Sequence, residues 1–297
     1  MPDDVLLTGP QRSGTTLVCS LLNDLPATVA LDEPVPVGIL TGPALADDLT
    51  RFVAEQRASL AAEGRARSWV STNTKNASNH ARDERRRWSA ALDRVPGRVG
   101  NALWRRFANR EVDARLGWMQ LDAPVPEPFT LVVKQLASIT AALPGLVDRF
   151  SCVAIVRNPL ATLASWNTLD FKRDGRAPYA ERIDPELKTR LDGARDRYDR
   201  QVRLLEWFFE RYSATLPRDR VIRYEDVCTD PARTLSVITP RAAEITRSLQ
   251  ERNQNAIYRA KVIAKLSDRL LATDGALWAF YEQADVERLA ASFVQTR

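Results

Sequence analysis

A short apolar run, Val5-Leu6-Leu7-Thr8, stops at Gly9-Pro10, and a second glycine, Gly14, stands directly before a stretch in which Leu17, Val18, Leu21, Leu22 and Leu25 recur at helical spacing. The chain therefore opens as buried strand, tight loop, helix. The loop itself, Gly9-Pro10-Gln11-Arg12-Ser13-Gly14-Thr15-Thr16, has its two glycines separated by four residues, the spacing of a phosphate-binding loop. Such a loop turns several backbone N–H groups inward at a helix N-terminus, where the helix dipole adds positive potential, and Gly14 lets the backbone approach an anion closely. The lysine expected after the second glycine is Thr15. Arg12 offers a planar fork of donors instead. A cradle so altered fits a donor with one 5′ anionic bridge better than a nucleoside triphosphate with magnesium. A glycine-containing strand–helix turn with no ligand is the plainer alternative for the loop alone.

The same rhythm continues along the chain. Thr28 to Leu31 reads as a second strand, followed by Asp32-Glu33-Pro34, and two further strands are expected at Phe129–Lys134 and Cys152–Arg157. Between them Ser138 to Phe150 fits a helix closed by a turn. Pro159 to Leu169 has the spacing of another helix, and Pro185 to Leu216 that of one long amphipathic helix. Arg220 to Tyr224 is a last strand, and Asp230-Pro231 a helix start with Asp as N-cap and Pro in the first turn. Strands alternating with helices predict an α/β fold with a P-loop-like central parallel sheet flanked by helices. Residues 44 to 128 break the pattern and are rich in Arg, Ala and Trp, so a mostly helical insertion is expected there, within a single domain of 297 residues.

Composition narrows the function classes. The apolar fraction of 44% and charged fraction of 27% are ordinary for a globular chain, which argues against disorder. No window is apolar and long enough to cross a membrane, and the N-terminus lacks the pattern of a secretory signal. Cys19, Cys152 and Cys228 are too widely spaced for a zinc site. They suit a reducing compartment, so a cytoplasmic location is expected, with the cysteines as small buried residues. The net charge of +5, carried mostly by arginine, favours anionic ligands.

At this point the residues resemble a known family. Gln11-Arg12-Ser13-Gly14-Thr15-Thr16-Leu17 is similar to the 5′-phosphosulfate loop of the sulfotransferase superfamily, in the form seen in tyrosylprotein and many bacterial sulfotransferases. Ile155-Val156-Arg157-Asn158-Pro159, with Ser165 eight residues after Arg157, resembles that superfamily's 3′-phosphate motif, and Arg223-Tyr224-Glu225-Asp226 its third recurrent segment. The resemblance covers roughly residues 5–34, 129–170 and 220–240, not the insertion. It implies transfer of a sulfuryl group from 3′-phosphoadenosine 5′-phosphosulfate (PAPS) to an acceptor hydroxyl, leaving adenosine 3′,5′-bisphosphate. Gln11, Arg12, Ser13, Gly14, Thr15, Thr16, Arg157, Ser165 and Tyr224 would then bind the donor, outside the carboxyl ends of the strands.

Sulfuryl transfer needs a base for the acceptor hydroxyl, stabilisation of the transferring group and neutralisation of the leaving phosphate, largely a matter of positioning and electrostatics. The sulfuryl group carries less charge than a terminal phosphoryl, so no metal is required. Cytosolic relatives use a histidine as base, but the single histidine, His80, lies in the insertion and reads as a surface residue. The resemblance to the tyrosylprotein-type enzymes points to Glu33, 21 residues after Arg12, with Asp32 as the neighbouring alternative and an ion-paired surface role as the plainer one. It likewise puts Lys134 near the donor's bridging oxygen, where an ammonium offsets charge on the leaving group; the plainer reading is a strand-end lysine in solvent. The expected catalytic set is thus Glu33, Lys134 and Arg12.

Two departures stand out. Position 169 is Leu where relatives often carry an arginine, and the adenine-side loop has only Lys261, Lys265 and Ser267 as loose candidates. Trp166 reads as a core residue or as packing near the nucleotide. Arginines from Arg82 to Arg115, interleaved with Trp88, Trp104 and Trp118, suit a carbohydrate or anionic small-molecule acceptor, or a solvated helical cap. Two rival classes remain: a P-loop kinase, for which the lysine is missing and which leaves Arg157 and Ser165 unexplained, and a basic nucleic-acid-binding protein, which predicts salt-sensitive binding and no affinity for PAPS.

Overall fold

The computed structural model describes residues 4–69, 116–168 and 174–293. The first strand, β1 (Asp4–Thr8), leads through the glycine loop into α1 (Thr15–Asn23) and back to β2 (Thr28–Asp32). Then come α2 (Leu45–Glu63) and the strands β3 (Arg65–Trp69) and β4 (Leu116–Gln120). Next follow β5 (Thr130–Lys134), α3 (Ala137–Ala142), β6 (Ser151–Val156) and α4 (Pro159–Trp166). The chain continues with α5 (Pro185–Asp192), α6 (Arg197–Thr215), β7 (Val221–Arg223), α7 (Tyr224–Thr229), α8 (Ala260–Leu271) and α9 (Gln283–Ser292).

Five strands form one all-parallel sheet in the order β2-β5-β1-β6-β7. Alternation along each strand divides the core into two. Leu6, Leu31, Leu131, Val133, Ala154 and Val156 face one apolar layer, packed by α2, α3, α4 and α6. Val5, Leu7, Ala30, Val132, Val153 and Ile155 face the other, packed by α1 and by the segments after β7. A sheet buried on both faces needs near-continuous apolar strands, which these are. Each fully buried leucine contributes about 1.5–3 kcal/mol. The fold class is the expected one.

One local expectation is corrected. The segment Pro185 to Leu216 is two helices, not one, because aspartate caps divide it. Asp184 accepts from Leu187 N before Pro185, and Asp196 accepts from Tyr198 N and Asp199 N. The helical spacing ran on because Leu187, Leu191, Val202, Leu205 and Phe208 all face the same core. In the described part of the insertion α2 is followed by β3 and β4, which pair antiparallel from Arg65 opposite Gln120 to Trp69 opposite Leu116. Gly64 ends α2 with φ 63°, and a Cβ there would lie 2.5 Å from Ala123 O. His80 and the arginines from Arg82 to Arg115 lie outside the described residues, as does Leu169.

Candidate active site at the carboxyl ends of the strands

The carboxyl ends of β1, β2, β5 and β6 open onto a cleft of about 1560 Å³. Arg12, Gly14, Thr15, Thr16, Glu33, Lys134, Arg157 and Tyr224 all line it, while Gln11, Ser13 and Ser165 do not. Asp32 lines it too.

The glycine loop is shaped for an anion. Arg12 has φ 71° and Gly14 φ 96°, so two residues adopt left-handed backbone, one of them at a strain only a non-glycine feels. Helix α1 starts at Gly14 with no side-chain cap, leaving its first N–H groups directed at the cleft. The hydroxyl of Ser13 and the Oε1 of Gln11 are buried with no hydrogen-bond partner in the structure. Tyr224 packs flush against Gly14, where an added Cβ would lie 2.6 Å from its Cδ2. Burial pushes the Tyr224 phenol up to about 12. Trp166, fully buried, donates from Nε1 to Gln11 O at 2.7 Å: it is a core residue that also fixes the loop.

The two anion motifs meet. Arg12 Nε donates to Ser165 Oγ at 3.0 Å, and Arg157 Nη1 donates to Arg12 O at 3.1 Å. Arg157, buried at the end of β6, also donates to Asn253 Oδ1 at 2.7 Å and lies with its guanidinium carbon 5.0 Å from the centre of the Tyr224 ring. Asn158 caps α4, accepting from Leu160 N and Ala161 N.

On the opposite wall Lys134 Nζ lies 2.6 Å from Asp32 Oδ1 and 2.7 Å from Glu33 Oε1. Burial works against the lysine's charge, but Glu33 and Asp32 outweigh it and hold its pKa above the ordinary lysine value. Burial also raises Asp32, with Lys134 opposing and Glu33 adding to the rise. The two carboxylates differ in access: the Asp32 side chain is 6% exposed and that of Glu33 36%. Glu33 holds φ 47°, an unusual conformation for a side-chain-bearing residue, and its N–H donates to Lys134 O at 2.8 Å. Thr16 Oγ1 donates to Asp32 Oδ2 at 3.4 Å, tying the 5′ loop to this wall. Lys134 is thus not a solvent-facing lysine.

Of the adenine-side candidates, none lines the cleft. Lys261, Lys265 and Ser267 sit on α8, where Ser267 is buried and Lys265 stands over the Tyr198 ring. The irregular segment from Arg247 to Tyr258 lines the cleft instead, through Arg247, Gln250, Arg252 and Asn255. No periodicity marks such a segment. Asn253 and Glu225, which hold Arg157 and Asn158, also escaped the sequence, although Glu225 lies inside a recognised motif. Among the described residues no group of three or more metal-ligating side chains occurs, and no helix is long and apolar enough to cross a membrane.

Comparison with known proteins follows the same lines. A sulfotransferase domain of the Synechococcus PCC 7002 olefin synthase is 17% identical, with 98% of this chain and 94% of that one covered and a TM-score of 0.35. The sulfotransferase domain of the curacin biosynthetic pathway is 14% identical over 99% of this chain and 98% of that one, with a TM-score of 0.38. No curated protein sequence matches. The profile of the sulfotransferase family, however, matches residues 3–242, from β1 through the glycine loop and the Arg157 motif to beyond β7, and by that match this chain belongs to the sulfotransferase family.

Proposed function

We propose that this protein transfers a sulfuryl group from PAPS to the hydroxyl of a carbohydrate or small-metabolite acceptor, with Glu33 as general base. The observation that carries the reading is the meeting of Arg12, Arg157 and Ser165 beside the uncapped start of α1. Two adjoining anion sites suit a nucleotide phosphorylated on both sides of its ribose. The buried Ser13 hydroxyl, which has no partner in the structure, offers a further donor to such a ligand.

Bound in this way, the donor supplies an activated sulfuryl group on a phosphate leaving group. Arg12 and the first turn of α1 hold its 5′ side. Arg157 and Ser165 hold the 3′-phosphate, and Tyr224 adjoins the nucleotide. Lys134, kept charged by its two carboxylates, offsets the charge that builds on the leaving oxygen. Glu33, the more exposed of the two, takes the acceptor's proton, while Asp32 keeps the ammonium in place.

The test is a thermal-shift panel with adenosine 3′,5′-bisphosphate, AMP, ATP–magnesium and an oligonucleotide, followed by a hydroxyl-substrate screen with labelled PAPS. A ligand at about 100 times its Kd adds ~2.7 kcal/mol of stability. The bisphosphate is expected to stabilise most. A larger shift with ATP–magnesium returns the protein to the kinase class, and a salt-sensitive shift with the oligonucleotide to the nucleic-acid class.

A further inference from the structure

Behind Arg157 runs a chain of hydrogen bonds that no motif announced. The guanidinium has five N–H donors. Three are committed: Nη1 to Arg12 O, Nη2 to Arg252 O at 2.5 Å, and Nε to Asn253 Oδ1 at 2.7 Å. Asn253, itself buried, passes its amide on, donating from Nδ2 to Glu225 Oε1 at 2.7 Å. The same carboxylate oxygen accepts from Asn158 N at 2.9 Å, the residue that follows Arg157 and caps α4. The other oxygen, Oε2, accepts from the Tyr281 hydroxyl at 2.8 Å. Burial, with Glu225 beside it, pushes the Tyr281 phenol well above its ordinary value, so its O–H stays a donor.

An arginine side chain ordinarily loses much of its rotamer freedom when it closes on an anion. Here that freedom is already lost: Asn253 fixes the Nε edge and the two carbonyls fix the plane, so the remaining N–H groups keep one direction. Glu225 in turn fixes the orientation of the Asn253 amide, because an inverted amide would set two oxygens against each other. Through Asn158 N the same carboxylate ties the start of α4, and with it Ser165, to the arginine.

We propose that Asn253 and Glu225 are positioning residues which hold the Arg157 guanidinium ready for a 3′-phosphate, and that this relay sets selectivity for a 3′-phosphorylated adenosine nucleotide over its 3′-hydroxyl counterpart. The inference rests on the functional reading above. The measurement is the ratio of dissociation constants for AMP and adenosine 3′,5′-bisphosphate, by calorimetry, in the unaltered protein and in Asn253→Ala. In the unaltered protein the bisphosphate is expected to bind more tightly than AMP; equal affinities overturn the functional reading itself. Given a preference there, Asn253→Ala should lower the ratio by about tenfold through weaker bisphosphate binding, with AMP affinity unchanged. A residue that only supports the fold would lower melting temperature and weaken both ligands alike. An unchanged ratio overturns the relay whatever happens to stability. Should Asn253→Ala not fold, Glu225→Gln serves: its amide oxygen still accepts from Asn158 and Asn253, while the charge behind the relay is lost and the hydrogen bond with Tyr281 reverses. A fall in the ratio by a few-fold is then expected, and no fall overturns the proposal.

Discussion

The Lys134 ammonium stands 2.6 Å from the Asp32 carboxylate with both side chains almost wholly removed from solvent. Breaking a buried pair from one side leaves the other charge without compensation, at a cost of about 3–5 kcal/mol. Lys134→Met, which would leave Asp32 and Glu33 adjacent, is therefore expected to lower the urea unfolding free energy by about that amount. A loss below about 1 kcal/mol would show that the pair is solvated in solution.

The same pair sets a dependence on pH. Lys134 has a pKa raised above 10.5, so its contribution to stability is full below that value and declines as pH rises through the folded value. Asp32, raised above 3.8, favours the fold only below that value, and its share is gone once pH has risen through its folded pKa. Denaturant midpoints followed from about pH 8 to about pH 11 should fall at the alkaline end, and fall less in Lys134→Met. Equal slopes in the two proteins would remove Lys134 as the source.

Glu33→Gln keeps the side-chain shape, the strained backbone and an oxygen for Lys134 to donate to, and removes the carboxylate's charge and basicity. Its kcat should drop by about 10²–10⁴-fold while bisphosphate affinity is nearly kept. If Glu33→Gln turns over normally and Asp32→Asn does not, the base is the buried carboxylate.

Arg12→Ala should abolish transfer and weaken the bisphosphate at least about tenfold, since the charged fork is removed from between the two motifs. Backbone strain is separated from charge by Arg12→Gly, for which φ 71° is unstrained. Both variants should lose binding, and the glycine variant should be no less stable than the alanine one. Binding retained in either would take Arg12 out of the site.

Gly14→Ala places a methyl 2.6 Å from Tyr224 on a backbone with φ 96°. The strain should cost about 1–3 kcal/mol and displace Tyr224 from the loop, with loss of bisphosphate binding. In a Tyr224→Ala background, Gly14→Ala should cost less than it does in the unaltered protein, because the clash is gone and only the backbone strain stays. No cost at all in that background, by thermal melts, would mean that the φ at Gly14 carries no weight.

What the sequence disclosed, and what it hid, divides along physical lines. The strands of the sheet and the loop between Gly9 and Thr16 were legible because apolar runs and glycine spacing are local signals. Glu33 and Lys134 were singled out by the family resemblance at their positions, and the structure brings them to one wall. Asp32 was named only as an alternative, since nothing local distinguishes a buried carboxylate from an exposed neighbour. The division of α5 from α6 was missed because both helices face one core and the pattern ran across the break. Asn253 and the Arg247–Tyr258 wall were missed because an irregular segment acquires its role only by what it is folded against.

The central strand β1 has both of its partners far downstream: Val5 lies beside Val132 on one side and beside Ser151 on the other. Contacts so distant along the chain are slow to form, and the sheet has no hairpin to start from. During synthesis, Val5-Leu6-Leu7 emerges as an apolar segment without either neighbour, and waits for more than a hundred residues to follow. Truncation before β6 leaves this strand half-paired and exposed to aggregation. The Asp32–Glu33–Lys134 wall needs only β2 and β5, whereas the meeting of Arg12 with Arg157 and Ser165 waits for β6, so a fragment that ends before β6 should bind no adenosine 3′,5′-bisphosphate.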